Sequence, residues 1–236
     1  MIPRKPFVYI MESPSPKDVF NDISEGDHLK KLLLLASIDS RYRRISDRER
    51  FRQAAAELSS LAAKIGKRPV LLHVSAHGNS DGIVLTSGEI LPWADFRELL
   101  LPLNGGLTGP LILCMSSCEG FAACRMAMYE EQALPFFGVI GHAGTPTWGD
   151  TAAAFHTFYH LYAKGYGVEE AVKAMRIACG DDEFYATLAS DARGAYLNVA
   201  QHQPQPNLSD ASINPVAVTD DSCLTKESTS SNLFRV

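Results

Sequence analysis

Two apolar runs, each followed at once by a chemically active side chain, constrain this chain more than anything else in it. Leu111-Ile-Leu-Cys114 leaves the turn at Gly109-Pro110 and ends in Met115-Ser-Ser-Cys118, with Glu119-Gly120 beyond. Pro69-Val-Leu-Leu-His-Val-Ser-Ala76 leads in the same way to His77-Gly78-Asn79. A short apolar run between turn signals reads as a strand buried on both faces, the kind that parallel sheets use. Open sheets of that kind place their working residues beyond the carboxyl ends of the strands. Cys118 and His77 both fall there, with room between them for one hairpin and one helix.

The rest of the chain supports this frame. Phe7 to Met11 predicts a first strand ending at Glu12. Ser15-Pro-Lys-Asp18 has the capping-box pattern with proline in the first helical position, and the helix it opens is expected to break at Gly26 and resume over Leu29 to Ala36. A short strand is expected over Tyr42 to Ile45. Ser46-Asp-Arg-Glu49 reads as a second capping box, opening a helix to about Ala63 that Gly66 ends. Ile83 to Thr86 and Glu89 to Leu91 predict a hairpin around Ser87-Gly88, and Pro92 to Leu101 a short amphipathic helix followed by a loop from Asn104 to Pro110. Gly120 to Glu131 reads as a helix, Leu134 to Ile140 as a strand, and Asp150 to Lys164 and Val168 to Cys179 as two more helices.

Such β-α-β-α alternation predicts one α/β domain over residues 1–200, with a mainly parallel sheet and helices on both faces. Residues 201–236 are polar and helix-poor and read as a flexible tail. At 236 residues the chain is long enough for this. Its net charge of −5 argues against nucleic acid or an anionic membrane as a direct partner. No apolar run approaches the length that spans a bilayer, and the N-terminus lacks the pattern of a signal peptide. Five cysteines without paired spacing then point to a reducing cytoplasm.

A thiol is a weak nucleophile at neutral pH unless an imidazole activates it or a helix N-terminus favours the thiolate. The motifs LLHVSAHG and LILCMSSC, in that order, resemble those of the caspase-like cysteine peptidases: caspases, metacaspases, gingipains, separases and CHAT domains. The resemblance covers about Phe7 to Cys179. Ser116-Ser-Cys-Glu-Gly120 departs from the Gln-Ala-Cys-Arg-Gly of animal caspases, so the chain is closer in character to CHAT and prokaryotic-type members. The resemblance implies an endopeptidase with Cys118 as nucleophile, His77 as acid to the leaving amine, and an oxyanion hole from the amides of Gly78 and Cys118, with no third catalytic member and no cofactor. It further implies an effector, of the bacterial defence or cell-death type, released by an activating partner or sensor subunit. It also implies a pocket for the residue before the scissile bond, lined here by Glu12-Ser13, Ser116, and His142 to Asp150. Glu12 or Asp150 in that pocket would favour Arg or Lys; without them it would be neutral or apolar. No arginine stands there, which argues against an aspartate preference.

Other readings stand beside these. Cys114 competes as nucleophile but sits inside the apolar run, where burial would make it inert. Asp150 is placed to cap the next helix, and Trp148 is either a pocket wall or a core plug. Cys114, Cys118, Cys124 and His142 lack the paired spacing of a structural zinc site. In a strand, His73 and His77 would stand about 13 Å apart, so His73 reads as a core histidine. The Arg41-Tyr-Arg-Arg44 cluster reads as a solvated surface rather than a dock for an acidic partner. Two other functions remain: a catalytically silent scaffold of the same fold, and another thiol enzyme such as an acyltransferase.

Overall fold

A computed structural model of the chain describes residues 5–129 and 133–202. In chain order the elements are β1 (Phe7–Ser13), α1 (Pro16–Phe20), α2 (Glu25–Leu35), β2 (Ser40–Arg44), α3 (Arg48–Ser60), α4 (Ala62–Ile65) and β3 (Val70–Asn79). There follow β4 (Gly82–Val84), β5 (Ile90–Pro92), α5 (Trp93–Gly106), β6 (Leu111–Ser116) and a 3-10 helix (Gly120–Ala127). The last are β7 (Gly138–His142), α6 (Trp148–Ala163), α7 (Val168–Cys179), β8 (Phe184–Leu188) and α8 (Ala189–His202).

The architecture is α/β. The central sheet runs β2-β1-β3-β6-β7-β8, parallel throughout except for β8, which pairs antiparallel with β7. β3 continues into an antiparallel extension with β4 and β5. Side chains alternate across the sheet and sort into two cores. Tyr9, Met11, Leu72, Val74, Leu113, Met115 and Val139 face α3, α5 and α8. Val8, Ile10, Leu71, Ile112, Cys114 and Ile140 face α2, α6 and α7. His73, Ser75 and His77 follow Leu71 at every second position, and Ser116 follows Cys114, so these polar residues belong to the α2/α6 side.

Several elements differ from expectation for local reasons. The break after the first helix falls at Asn21–Ser24, where Asp22 adopts φ 54°, rather than at Gly26. Gly26 lies in the first turn of α2, where a Cβ would stand 2.8 Å from the Tyr42 ring; the glycine serves close packing and not a break. Asp47, not Ser46, caps α3, and no capping box forms there. α5 runs on through Pro102 to Gly106, into the stretch expected as a loop. The segment after Cys118 is a 3-10 helix over Gly120–Ala127 rather than an α-helix to Glu131, and residues 130–132 lie outside the described residues. The strand expected over Leu134 to Ile140 is Gly138–His142. β8 and α8 had no strong periodic signal. α8 carries helix two residues past the expected boundary at 200; residues 203–236 lie outside the described residues. Among the described residues, no helix is long and apolar enough to cross a membrane.

Candidate active site

From β1 the chain moves outward to β2, then returns to the other side of β1 for β3. That reversal leaves a crevice outside the carboxyl ends of β1 and β3, where open α/β sheets bind ligands. His77 stands near the end of β3 and Cys118 just past the end of the adjacent β6; Asp18 comes from α1, which follows β1.

His77 and Cys118 line one cavity of about 200 Å³, with Ala76, Ser117, Pro146, Thr147, Trp148 and Thr151. The His77 side chain is 44% exposed but is held on two sides. Its Nε2 lies 2.8 Å from Asp18 Oδ2, and its ring meets Trp148 edge-on, with centroids 5.4 Å apart. Asp18 is itself anchored. Ser15 donates to Oδ2 from its backbone N–H at 3.0 Å and from its hydroxyl at 2.6 Å. Burial would raise the Asp18 carboxyl, but the hydrogen bonds from Ser15 and His77 outweigh it and hold the group below its ordinary range. An ionised carboxylate only accepts, so His77 donates through Nε2, which leaves Nδ1 for proton exchange.

The turn carrying Cys118 is tightly constrained. Glu119 adopts left-handed backbone, φ 50°, uncommon for a residue with a side chain. Its N–H donates to Gly144 O at 2.7 Å, tying the turn to the loop between β7 and α6. Among the described residues, the Cys118 N–H meets no backbone carbonyl in a turn or loop. A Cβ on Gly78 would stand 3.1 Å from Cys118 O and 3.2 Å from Ser117 Cβ, so the two strand ends pass in close contact. Burial pushes the Cys118 thiol above its ordinary value, and the Glu119 carboxylate adds to the rise. The expected thiolate-favouring helix terminus is not what this turn supplies.

Cys114 is fully buried, and its thiol is pushed up to about 12 by that burial. Between the cysteine inside β6 and the one just past its end, the part-exposed position favours Cys118 as the candidate nucleophile. Cys124 is part-buried in the 3-10 helix and Cys179 part-buried at the end of α7; both are free thiols. Among the described residues, no three His, Cys, Asp or Glu side chains converge as metal ligands. His142 instead hydrogen-bonds Asp181 through Nε2 at 3.0 Å and accepts from Gly144 N–H through Nδ1 at 2.9 Å.

Of the residues expected to select the substrate, Trp148 lines the cavity and Glu12, Ser116 and Asp150 do not. Glu12 is buried beside α2, accepting from Ser24 Oγ, Gly26 N–H and Tyr42 Oη at 2.7, 2.9 and 2.6 Å. Asp150 forms a capping box with Thr147 at the start of α6. Ser116 is fully buried and donates to Glu25.

That last bond leads to a group with no obvious sequence signal. Glu25, in the first turn of α2, is 5% exposed. It accepts from Ser75 Oγ at 2.6 Å and from Ser116 Oγ at 2.7 Å. Ser75 and Ser116 are paired across β3 and β6, two residues before His77 and Cys118. The carboxylate thus lies one strand repeat, about 7 Å, down the sheet from His77 and on the same face. Burial pushes the Glu25 carboxyl up, but His73, 3.7 Å away, and the two serine hydroxyls hold it below its ordinary range. His73 is fully buried and meets Tyr159 Oη through Nδ1 at 2.8 Å.

No model of a known protein family matches the chain, and no curated protein sequence matches it.

Proposed function

We propose that this chain is a cysteine endopeptidase of the caspase-like type. One observation carries the reading: an imidazole and a thiol from neighbouring parallel strands line the same cavity, at the carboxyl end of the sheet. In the proposed reaction the Cys118 thiol gives its proton to His77 and Sγ attacks the peptide carbonyl carbon. The C–N bond then breaks, His77 protonates the departing amine, and a thioester remains on Cys118. Water then attacks the thioester carbonyl with His77 taking one of its protons; the C–S bond breaks, the acid leaves, and His77 passes that proton to the sulfur. The amides of Gly78 and Cys118 would stabilise the oxyanion.

For the residue before the cut, neither Glu12 nor Asp150 supplies a charge to the cavity, since both are engaged elsewhere. Among the described residues, no carboxylate lines the cavity, and Glu25 is buried and occupied by Ser75 and Ser116; this supports a neutral or apolar residue before the cut. The free thiols of Cys114, Cys118, Cys124 and Cys179 fit a reducing cytoplasm. An effector role, with a separate activating subunit, rests on the motif resemblance alone.

Incubating a peptide library with wild type, Cys118→Ala and His77→Ala, and reading cuts by mass spectrometry, tests the reading. Loss of cutting in both variants is the expected result; cutting that survives in both would refute the dyad. Cuts after Leu or Met would fit a cavity lined without a carboxylate; cuts after Lys or Arg would contradict it. A second reading, a silent scaffold of the same fold, is favoured by the raised Cys118 thiol. It predicts that a thiol probe labels Cys118 no faster than free cysteine.

A further inference from the structure

We propose that Asp18 is a positioning residue for His77, converting the Cys–His pair into an Asp18–His77–Cys118 relay; this deepens the peptidase reading and rests on it. Three features of the site point to the role. The first is geometry: the 2.8 Å contact engages Nε2, so the nitrogen left for the thiol and the leaving amine is fixed as Nδ1. The second is desolvation. The Asp18 side chain is 11% exposed, and its Oδ2 gathers three donors, two of them from Ser15. A carboxylate held this way is preorganised and cannot swing out to water when the imidazole changes charge. The third is the second clamp. Trp148 lies edge-on against the ring, so the imidazole is constrained about both of its torsions although nearly half of it is exposed.

Charge completes the argument. When Cys118 gives up its proton the imidazole becomes cationic, and an anion in hydrogen-bond contact stabilises that state. The thiol needs this help, because burial and the Glu119 carboxylate both work against the thiolate. Of the ionisable groups around the ring, Asp18 comes from α1, Cys118 from the turn after β6, and Glu119 stands beside the thiol. Asp18 is the carboxylate that touches the imidazole, and Glu119 is the one that opposes the thiolate. The sequence hides the pairing, since Asp18 and His77 are 59 positions apart.

The competing account is that Asp18 only caps α1 through its capping box with Ser15. Two readouts on the full chain separate the accounts. The first is the pH dependence of Cys118 alkylation by iodoacetamide in wild type, Asp18→Asn, Ser15→Ala and His77→Ala, which needs no peptide. The second is kcat and KM on a peptide that wild type cuts. Asp18→Asn is expected to slow alkylation at pH 7 about tenfold and to move its midpoint upward, as His77→Ala does. It is also expected to lower kcat about 10- to 100-fold with KM little changed. Ser15→Ala, which keeps the carboxylate, should lower the thermal midpoint without reproducing the alkylation shift. If Asp18→Asn matches Ser15→Ala and leaves the alkylation profile at its wild-type position, the role is capping and the proposal falls. It falls equally if His77→Ala leaves that profile unmoved. If wild type cuts no peptide but the alkylation profile shifts in both Asp18→Asn and His77→Ala, the relay stands and the peptidase reading fails.

Discussion

At Gly78 a single hydrogen stands where any other residue would place a carbon 3.1 Å from two backbone oxygens, those of Cys118 and Gly82. Gly78→Ala must therefore push the end of β3 away from the Cys118 turn. It is expected to cost about 1–3 kcal/mol of stability as local overpacking and, on the peptidase reading, to lower kcat/KM about 100-fold by misplacing His77 against Cys118. Denaturant unfolding and steady-state kinetics on the same preparation check this; activity that falls only in proportion to stability would contradict it. His77, Gly78 and Cys118 were legible in the chain because strand periodicity and turn residues place them without reference to anything distant. Asp18 and Glu25 were not. Each is a carboxylate near the start of a helix, where acidic residues are common for capping alone, and nothing local distinguishes one that reaches across to a strand end.

Helix starts show how one residue type divides between two jobs. Asp150 was open to either a pocket or a cap, and its contacts are those of a cap: Thr147 donates to it from both N–H and hydroxyl, at 3.0 and 2.6 Å. Asp150→Ala is expected to destabilise α6 by about 1 kcal/mol, lowering the thermal midpoint by about 2–4 °C, and to leave the cleaved residue unchanged. An altered cut site at unchanged stability would return Asp150 to the pocket. Helices whose pattern and caps agree, such as α6 and α7, stand close to where the chain's pattern puts them. Where expectation and structure part, tertiary contact decides. α5 continues past Pro102, with Leu103 buried in the core. Gly26 is helical because Tyr42 packs on it.

Over the whole molecule, the alternation of apolar runs and helices was enough to specify a mainly parallel sheet with two covered faces. It was not enough to reveal that the last strand reverses, because Phe184–Leu188 is short and half-exposed. The same sheet buries acid chemistry. Glu25 and Asp18 sit within or at the edge of the α2 side of the core, and Glu57 is held below its ordinary range by its hydrogen bond with Arg43. A carboxyl depressed in the folded state contributes stability above its unfolded value and loses it as pH falls through the folded one. Stability is therefore expected to be level above about pH 5. It should then fall as pH drops past the ordinary values of 4.5 and 3.8. Urea midpoints measured from pH 7 to pH 3 check the sign; stability that rises on acidification would contradict it. Glu25→Gln should flatten part of that slope, since the variant has no proton to take up there.

The bond from Glu119 N–H to Gly144 O joins the turn that holds Cys118 to the loop that leads into Trp148. On the peptidase reading, recognition and bond-breaking would then share one mechanical part. A peptide whose side chain forced the cavity wall outward would also drag Sγ off its line of attack, whereas one that seated cleanly would leave the turn at rest. On the peptidase reading, discrimination would be written in turnover more than in residence: poor substrates would occupy the enzyme almost as well as good ones, and would act on it as competitive inhibitors.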